Sequence, residues 1–309
     1  MSYISFVIIF YGLVFSGSVI ESAPDTYEIK LERGIEAFYK ADWRQARSIF
    51  NELKEERPED PAPYFFESMM PFWKYFFVDQ NEETADAFFS LSEEAIRLSE
   101  IRLKNSPDDT TMVLFLSGLY GYRSLVAAGE NRYSEAVQDG ITGYKFTRKL
   151  LSVQSDRPEA KIGKGMYYYM TGSIPGEVKW AANMFGVRGD VEYGLAELKK
   201  AAESNSLVSN DSKMILMYLY SKEERFDEAL LYADRLIEKF PRNVIILYKK
   251  ALILDRIGKT KEASALFREI IKINHPDLTE VTKKAREYTS VKKTDSLTLE
   301  STNVSSDFR

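Results

Sequence analysis

The chain contains no cysteine and a single histidine, His275, among its 309 residues. The absence of cysteine excludes cysteine nucleophiles, disulfide bonds, thiolate zinc sites and iron–sulfur clusters. His275 is then the only histidine available for a Ser-His-Asp arrangement, and it directly precedes Pro276 where the last helical repeat ends. A residue in that position is expected to belong to a helix stop.

Concentrated basic charge is also lacking. The net charge is −5, and no basic run is longer than the pairs Lys283-Lys284 and Lys292-Lys293, so a nucleic-acid partner is not expected. No phosphate-binding loop is present, and adjacent glutamates such as Glu93-Glu94 point to different helix faces. The sequence therefore predicts a protein that is not an enzyme, with no catalytic residue, no metal site and no cofactor.

Only one long uncharged apolar run occurs, from Ile4 to Ile20. It is short for a membrane span and is followed by small residues, which is typical of a secretory signal peptide over residues 1–23. We therefore expect an exported protein, periplasmic or secreted, cleaved between Ser18 and Ala23. No basic residue precedes the run, the first being Lys30, so an uncleaved anchor formed by residues 4–20 remains the alternative. Membrane contact is expected only through this segment, if it is retained.

Strand-like alternation is absent, and two stretches near the C-terminal end repeat one helical pattern. Arg225 to Ala229 aligns with Lys259 to Ala263, and Ala229 and Ala263 lie 34 positions apart. Thirty-four residues with two helical segments is the tetratricopeptide spacing. Near the N-terminus Gly34, Ala37, Ala46, Phe50 and Pro58 repeat the same consensus spacings. In these positions the chain resembles the tetratricopeptide repeat (TPR) family.

This resemblance implies an all-α fold, a right-handed TPR-type solenoid of about six helix hairpins in one domain over residues 27–290. Units 2 and 4 exceed the repeat length, and we expect inserts between their helices, about fifteen residues in unit 2 and Gly172 to Asp190 in unit 4. The stretch Asp277 to Ser290 is predicted to cap the solenoid. The polar tail, residues 291–309, is predicted to be disordered.

The unit 4 insert carries a second, weaker resemblance. Ser173-Ile174-Pro175-Gly176, then Trp180, Gly189-Asp190 and Gly194-Leu195 are similar to a segment of the inclusion-body-clearance and tetratricopeptide-repeat-39-like family. That family has no established catalytic residues to carry over.

In TPR arrays the first helix of each unit lines the concave face, so the resemblance implies a groove there. The predicted groove residues are Phe38, Tyr39, Phe65, Met69, Phe72, Trp73, Tyr122, Arg123, Met166, Tyr169, Tyr218, Tyr248 and Arg256. Such an aromatic groove suits a protein or peptide partner, or alternatively a lipid or other apolar ligand held between the groove and the inserts.

Two further expectations concern this face. The Lys and Asn residues with which chaperone-binding TPR members clamp a peptide C-terminus are missing here. An aromatic stripe at helical spacing is also typical of a core, so a concave face filled by its own side chains is the alternative to an open groove. Met69-Met70-Pro71 is expected to interrupt its helix, which would expose one side of the cluster.

Overall fold

The computed structural model describes residues 26–152, 156–173, 189–206 and 208–291, and these ranges contain helices and no strand. The helices are α1 (Tyr27–Tyr39), α2 (Trp43–Glu56), α3 (Pro61–Phe77), α4 (Glu82–Asn105), α5 (Thr110–Gly129), α6 (Tyr133–Ser152), α7 (Pro158–Gly172), α8 (Val191–Ala202), α9 (Val208–Lys222), α10 (Phe226–Lys239), α11 (Val244–Arg256), α12 (Thr260–Ile273) and α13 over 279–291.

Consecutive helices form hairpins. The most extensive packing occurs within the pairs α1–α2, α3–α4, α5–α6, α7–α8, α9–α10 and α11–α12, and each pair also packs on the next. The predicted α-solenoid of six helix hairpins is therefore confirmed. After the last pair, α13 buries Val281 and Ala285 against the array and covers its terminal face.

Asp and Asn side chains determine where many of the helices begin. Each accepts a hydrogen bond from a backbone N–H in the first turn, which would otherwise lack a partner. The capping residues are Asp42, Asp60, Asn81, Asp109, Asp190 and Asn243. A cap of this kind stabilises a helix by about 1 kcal/mol, so these short polar residues divide the chain into its repeats.

The extra residues of unit 2 lengthen its helices instead of forming an insert between them. Helix α3 has 17 residues and α4 has 24, and only residues 78–81 separate them. The prediction of an insert there was wrong, because the additional residues continue the helical spacing of apolar side chains. The corresponding segment of unit 4 lies mostly outside the described residues.

Helix α3 also continues through Pro71, so the predicted interruption at Met69-Met70-Pro71 does not occur. A proline inside a helix costs roughly 3 kcal/mol, since it removes a backbone hydrogen bond and crowds the preceding turn. Met70, Phe72 and Trp73 are buried on both sides of it. Their packing offsets that cost.

Two glycines allow α7 and α8 to pack very closely. A Cβ atom on Gly194 would lie 2.5 Å from the backbone nitrogen of Tyr169 and 2.7 Å from the carbonyl oxygen of Gly165. Backbone atoms cannot move aside as a side chain can. This contact holds the two ends of unit 4 together on either side of residues 174–188.

The two ends of the solenoid meet. The rings of Tyr39 in α1 and Phe240 after α10 stack with centroids 5.6 Å apart. Arg44 pairs with Asp277 at 3.2 Å, and Lys284 of α13 pairs with Asp79 after α3 at 3.1 Å. Because of these closure contacts, much of the concave face is turned into the interior of the protein.

The predicted signal peptide or anchor, residues 1–23, lies outside the described residues, as does the tail beyond residue 291. Within the described ranges one helix, α5 (Thr110–Gly129), is long and apolar enough to cross a membrane by length and composition. In this structure it pairs with α6 and packs on α4 and α7, and about a third of its most apolar stretch is buried.

Candidate functional site

The thirteen predicted groove residues separate into three groups by exposure. The buried ones are Phe38, Tyr39, Met69, Phe72, Trp73 and Tyr169. The half-buried ones are Phe65, Tyr122, Arg123, Met166, Tyr218 and Tyr248. Arg256 is exposed. The buried residues offer no outer surface to a partner. Over α1 and α3 the concave face is therefore filled by its own side chains, as the alternative to an open groove predicted.

Aromatic packing between units fills that part of the face. The ring of Trp73 lies 4.7 Å from that of Phe38 and 5.8 Å from that of Tyr39, measured between centroids. The ring of Phe72 stacks on Tyr122 at 4.3 Å. These contacts join α1, α3 and α5, and the closure contacts cover them from the other side.

Arg123 is committed to structural contacts. Its guanidinium pairs with Asp139 at 3.2 Å and donates to the carbonyl oxygen of Phe89 and to the Ser92 hydroxyl. It also lies over the Phe89 ring. These interactions use the donors with which a groove arginine would hold a partner.

The concave face remains open between α9 and α11. A cleft of about 310 Å³ lies there, called the concave cleft below. Its walls include Phe77, Tyr218, Lys222, Lys249, Leu252 and Arg256. Leu252 is exposed, and the predicted groove residues Tyr218 and Arg256 are both present.

Lys249 gives the concave cleft a cation without a counter-charge. Among the described residues no carboxylate lies within ion-pair distance of its ammonium group, which sits 5.6 Å from the centroid of the Phe77 ring. Burial, together with the smaller effect of the nearby Lys284 charge, lowers the pKa of Lys249 to about 8. Arg256, by contrast, pairs with Glu224 at 2.5 Å. An anionic group entering the cleft would relieve the cost of burying the Lys249 charge.

Two further cavities adjoin the concave cleft, and each reaches the surface, since exposed Met170 and Lys222 line the first and exposed Arg102 lines the second. The inner cavity, about 140 Å³, has walls from α3, α5, α7 and α9, among them Phe72, Trp73 and Phe76. The neighbouring cavity, about 340 Å³, extends toward α1 and includes Leu31 and Phe65. Eight of the predicted groove residues line one or both: Phe65, Met69, Phe72, Trp73, Tyr122, Met166, Tyr169 and Tyr218.

Asp211 lies where the two cavities meet, since it lines both together with Met69 and Tyr122. The residue is half-buried overall, and its carboxyl group lies deep among protein atoms. Burial therefore raises its pKa to about 6, and the Tyr39 hydroxyl opposes part of that rise. The Tyr39 hydroxyl is itself buried and makes no hydrogen bond of normal geometry with the described residues.

In the part of the chain that the structure describes, no group of three or more His, Asp or Glu side chains could hold a metal ion. His275 accepts a hydrogen bond at Nδ1 from the backbone N–H of Asp277 at 3.2 Å, within the turn before α13. This is the helix-stop environment expected for it.

Sequence reasoning missed Lys249 and Asp211. Lys249, Leu252 and Arg256 follow each other at spacings of three and four residues, so the groove register contained a signal for the lysine. Asp211 is flanked by Asn210 and Ser212 in the first turn of α9 and looks like an ordinary polar helix start. Its cavity is formed by helices distant in sequence.

Comparisons with known proteins place the TPR pattern in the same region as the concave cleft. Residues 218–277 match the Tetratricopeptide repeat family. A monomeric mutant of IFIT1 with Gppp-AAAA is 16% identical, with a TM-score of 0.41, and the match covers 80% of this chain and 50% of that one. Yeast Tom70 is 13% identical, with a TM-score of 0.38, covering 84% of this chain and 64% of Tom70. The chain thus spans less than two thirds of either protein's length.

Proposed function

We propose that this protein is an exported, non-enzymatic TPR scaffold that binds a protein segment in the concave cleft. The observation that carries the proposal is the combination of exposed Leu252 with unpaired Lys249 on one wall of an open cleft. The tetratricopeptide match over residues 218–277 supports it, because this repeat class presents the concave faces of its first helices to partners.

The chemistry of the cleft suggests which segment it takes. Tyr218 and Leu252 provide apolar surface, while Lys222, Lys249 and Arg256 provide positive charge. An amphipathic segment with one apolar side chain and a nearby Asp or Glu matches both features. Lys249 would form the strongest contact, because a carboxylate of the segment would supply the counter-charge that its buried ammonium group lacks.

Selection from a displayed library of short peptides tests this proposal. The selected peptides should combine an apolar residue with Asp or Glu, and Lys249→Met should weaken binding of the best one by about tenfold or more. Lys250→Met is the matched control, because Lys250 is the next residue and pairs with Asp234 instead of lining the cleft. Equal binding by both variants, or selected peptides without acidic residues, would overturn the assignment.

Export rests on the apolar run Ile4 to Ile20 and the small residues that follow it. N-terminal sequencing of the protein purified from its native host tests it. A chain beginning between residues 19 and 24 supports cleavage and export. A chain that starts at Met1 and sediments with membranes supports the anchor of residues 4–20.

A second candidate function is a carrier that shelters an apolar ligand in the inner and neighbouring cavities. The specific observation favouring it is that eight predicted groove residues line those cavities. Native mass spectrometry of the gently purified protein separates the candidates. A small apolar molecule that co-purifies supports the carrier, and a co-purifying polypeptide supports the scaffold.

A further inference from the structure

The junction of the two cavities combines one negative charge with aromatic walls. Asp211 is the carboxylate that both cavities share, and no cation among the described residues lies within ion-pair distance of it. The rings of Phe72 and Tyr122 stack beside it, and Phe76 and Tyr218 continue the wall at a centroid distance of 4.8 Å. Aromatic faces attract cations, and they do so more strongly where water is excluded.

The Tyr39 hydroxyl is the neighbouring polar group at this junction. The Tyr39 hydroxyl is buried without a hydrogen bond of normal geometry, although it acts on the Asp211 carboxylate. A buried carboxylate without a cation, next to an unsatisfied hydroxyl, costs free energy in the empty protein. A ligand that carries a positive charge and N–H donors would remove both costs.

We propose that the inner cavity binds a small apolar ammonium ion, with its nitrogen at Asp211 and its hydrocarbon part against Phe72, Trp73 and Phe76. This goes beyond the peptide scaffold and deepens the carrier candidate, because it rests on the same cavity and names the ligand class. The volume of about 140 Å³ suits a single ring, since an apolar protein cavity of about 150 Å³ holds benzene. The junction with the neighbouring cavity provides room for the ammonium group.

Other charged groups around the cavities do not neutralise Asp211. Lys222 lines the inner cavity but its side chain is exposed, so water screens its charge. Asp60 and Arg102 line the neighbouring cavity, and they face each other at 3.9 Å. Tyr39, Tyr122 and Tyr218 face the junction as neutral phenols, because burial raises the pKa of each.

The proposal predicts a pH dependence of ligand binding. Burial raises the pKa of Asp211 to about 6, so the carboxylate is charged at pH 7.5 and largely protonated at pH 5. An alkylammonium ion stays charged over this whole range, because amines of this kind titrate near the lysine value. Binding should therefore weaken as the pH falls below 6, while binding of a neutral analogue should not change.

Titration calorimetry of the purified full chain with benzylamine, benzyl alcohol and toluene tests the proposal at pH 7.5 and pH 5. We expect benzylamine to bind about tenfold more tightly than benzyl alcohol at pH 7.5. That preference should disappear at pH 5 and in Asp211→Asn at pH 7.5. Asp227→Asn is the matched control, because Asp227 is an exposed aspartate in the first turn of α10, outside both cavities.

Equal binding of all three compounds would overturn the ammonium proposal and leave the apolar carrier standing. Binding of none would also overturn the ammonium proposal, and it would leave the peptide scaffold untouched. The pH comparison uses the unaltered protein, so it tests the role of the Asp211 carboxylate even if Asp211→Asn does not fold.

Discussion

The backbone carbonyl oxygen of Tyr39 accepts a hydrogen bond of 2.7 Å from the side-chain amide of Asn243, 204 positions along the chain. The other side-chain atom of Asn243, Oδ1, caps α11 by accepting from the N–H groups of Ile245 and Ile246. One fully buried residue thus begins a helix of the sixth unit and attaches it to the first unit. This bond, with the ring stack of Tyr39 on Phe240, closes the solenoid.

Asn243→Ala should destabilise the protein by roughly 2–4 kcal/mol, because it removes a helix cap and leaves the Tyr39 carbonyl without its partner. Urea denaturation followed by circular dichroism measures this. Asp190→Ala is the control, since Asp190 caps α8 through the backbone N–H of Tyr193 and is in none of the closure contacts. We expect a loss of only ~1 kcal/mol there. Equal losses in the two variants would show that the closure contact contributes nothing.

Trp73→Ala tests whether the aromatic face over α3 is core or binding surface. Trp73 is 3% exposed, so we expect a loss of about 3–5 kcal/mol and a large fall in melting temperature. Tyr133, an aromatic residue that is 64% exposed, provides the control, and Tyr133→Ala should change stability by less than about 0.5 kcal/mol. An unchanged melting temperature in Trp73→Ala would contradict the core assignment and support an open groove at this unit.

Two glycine-to-alanine changes should have opposite signs. Gly194→Ala should destabilise the protein by several kcal/mol, because the new Cβ would lie 2.5 Å from the Tyr169 backbone nitrogen. Gly121→Ala in α5 should stabilise it by roughly 0.5–1 kcal/mol, since nothing lies within 4 Å of that Cβ and alanine favours a helix. Thermal denaturation of both variants makes the comparison. If both changes destabilise the protein equally, the close packing of α7 on α8 is not the cause.

Asp211→Asn should raise stability at neutral pH. The pKa of Asp211 in the folded state is raised to about 6 from an ordinary value of 3.8. Above pH 6 the folded protein therefore carries a desolvated charge, and this cost disappears as the pH falls from 6 toward 3.8. At about 1.4 kcal/mol per pKa unit, and allowing for the favourable position in the first turn of α9, we expect a gain of roughly 1–2 kcal/mol at pH 7.5.

Urea denaturation of this variant at pH 7.5 and pH 4 provides the measurement. The gain should vanish at pH 4, where the carboxyl group is protonated in the folded protein. Asp227→Asn, at an exposed aspartate, should show no such difference between the two pH values. A gain that persists at pH 4 would mean that burial of the charge is not its source.

Local sequence features were sufficient for the helices and their order. The 34-residue step from Ala229 to Ala263 predicted the hairpin architecture, and Asp and Asn residues mark where helices begin. Pro71 shows where local signals fail. Its effect on the backbone is local, but the packing of Met70, Phe72 and Trp73 that offsets it involves other units.

The sequence by itself determined the all-helical repeat, because helix caps and apolar spacing act over a few residues. Only the tertiary structure decided which groove positions face outward, which face inward and where Lys249 and Asp211 lie. Tyr39 and Trp73 become core because the first and last units meet, and that meeting depends on the small rotation between successive hairpins summed over six of them. No single residue position encodes the total rotation of the array. The spacing of residues therefore could not predict the cavities or the carboxylate of Asp211 that they share.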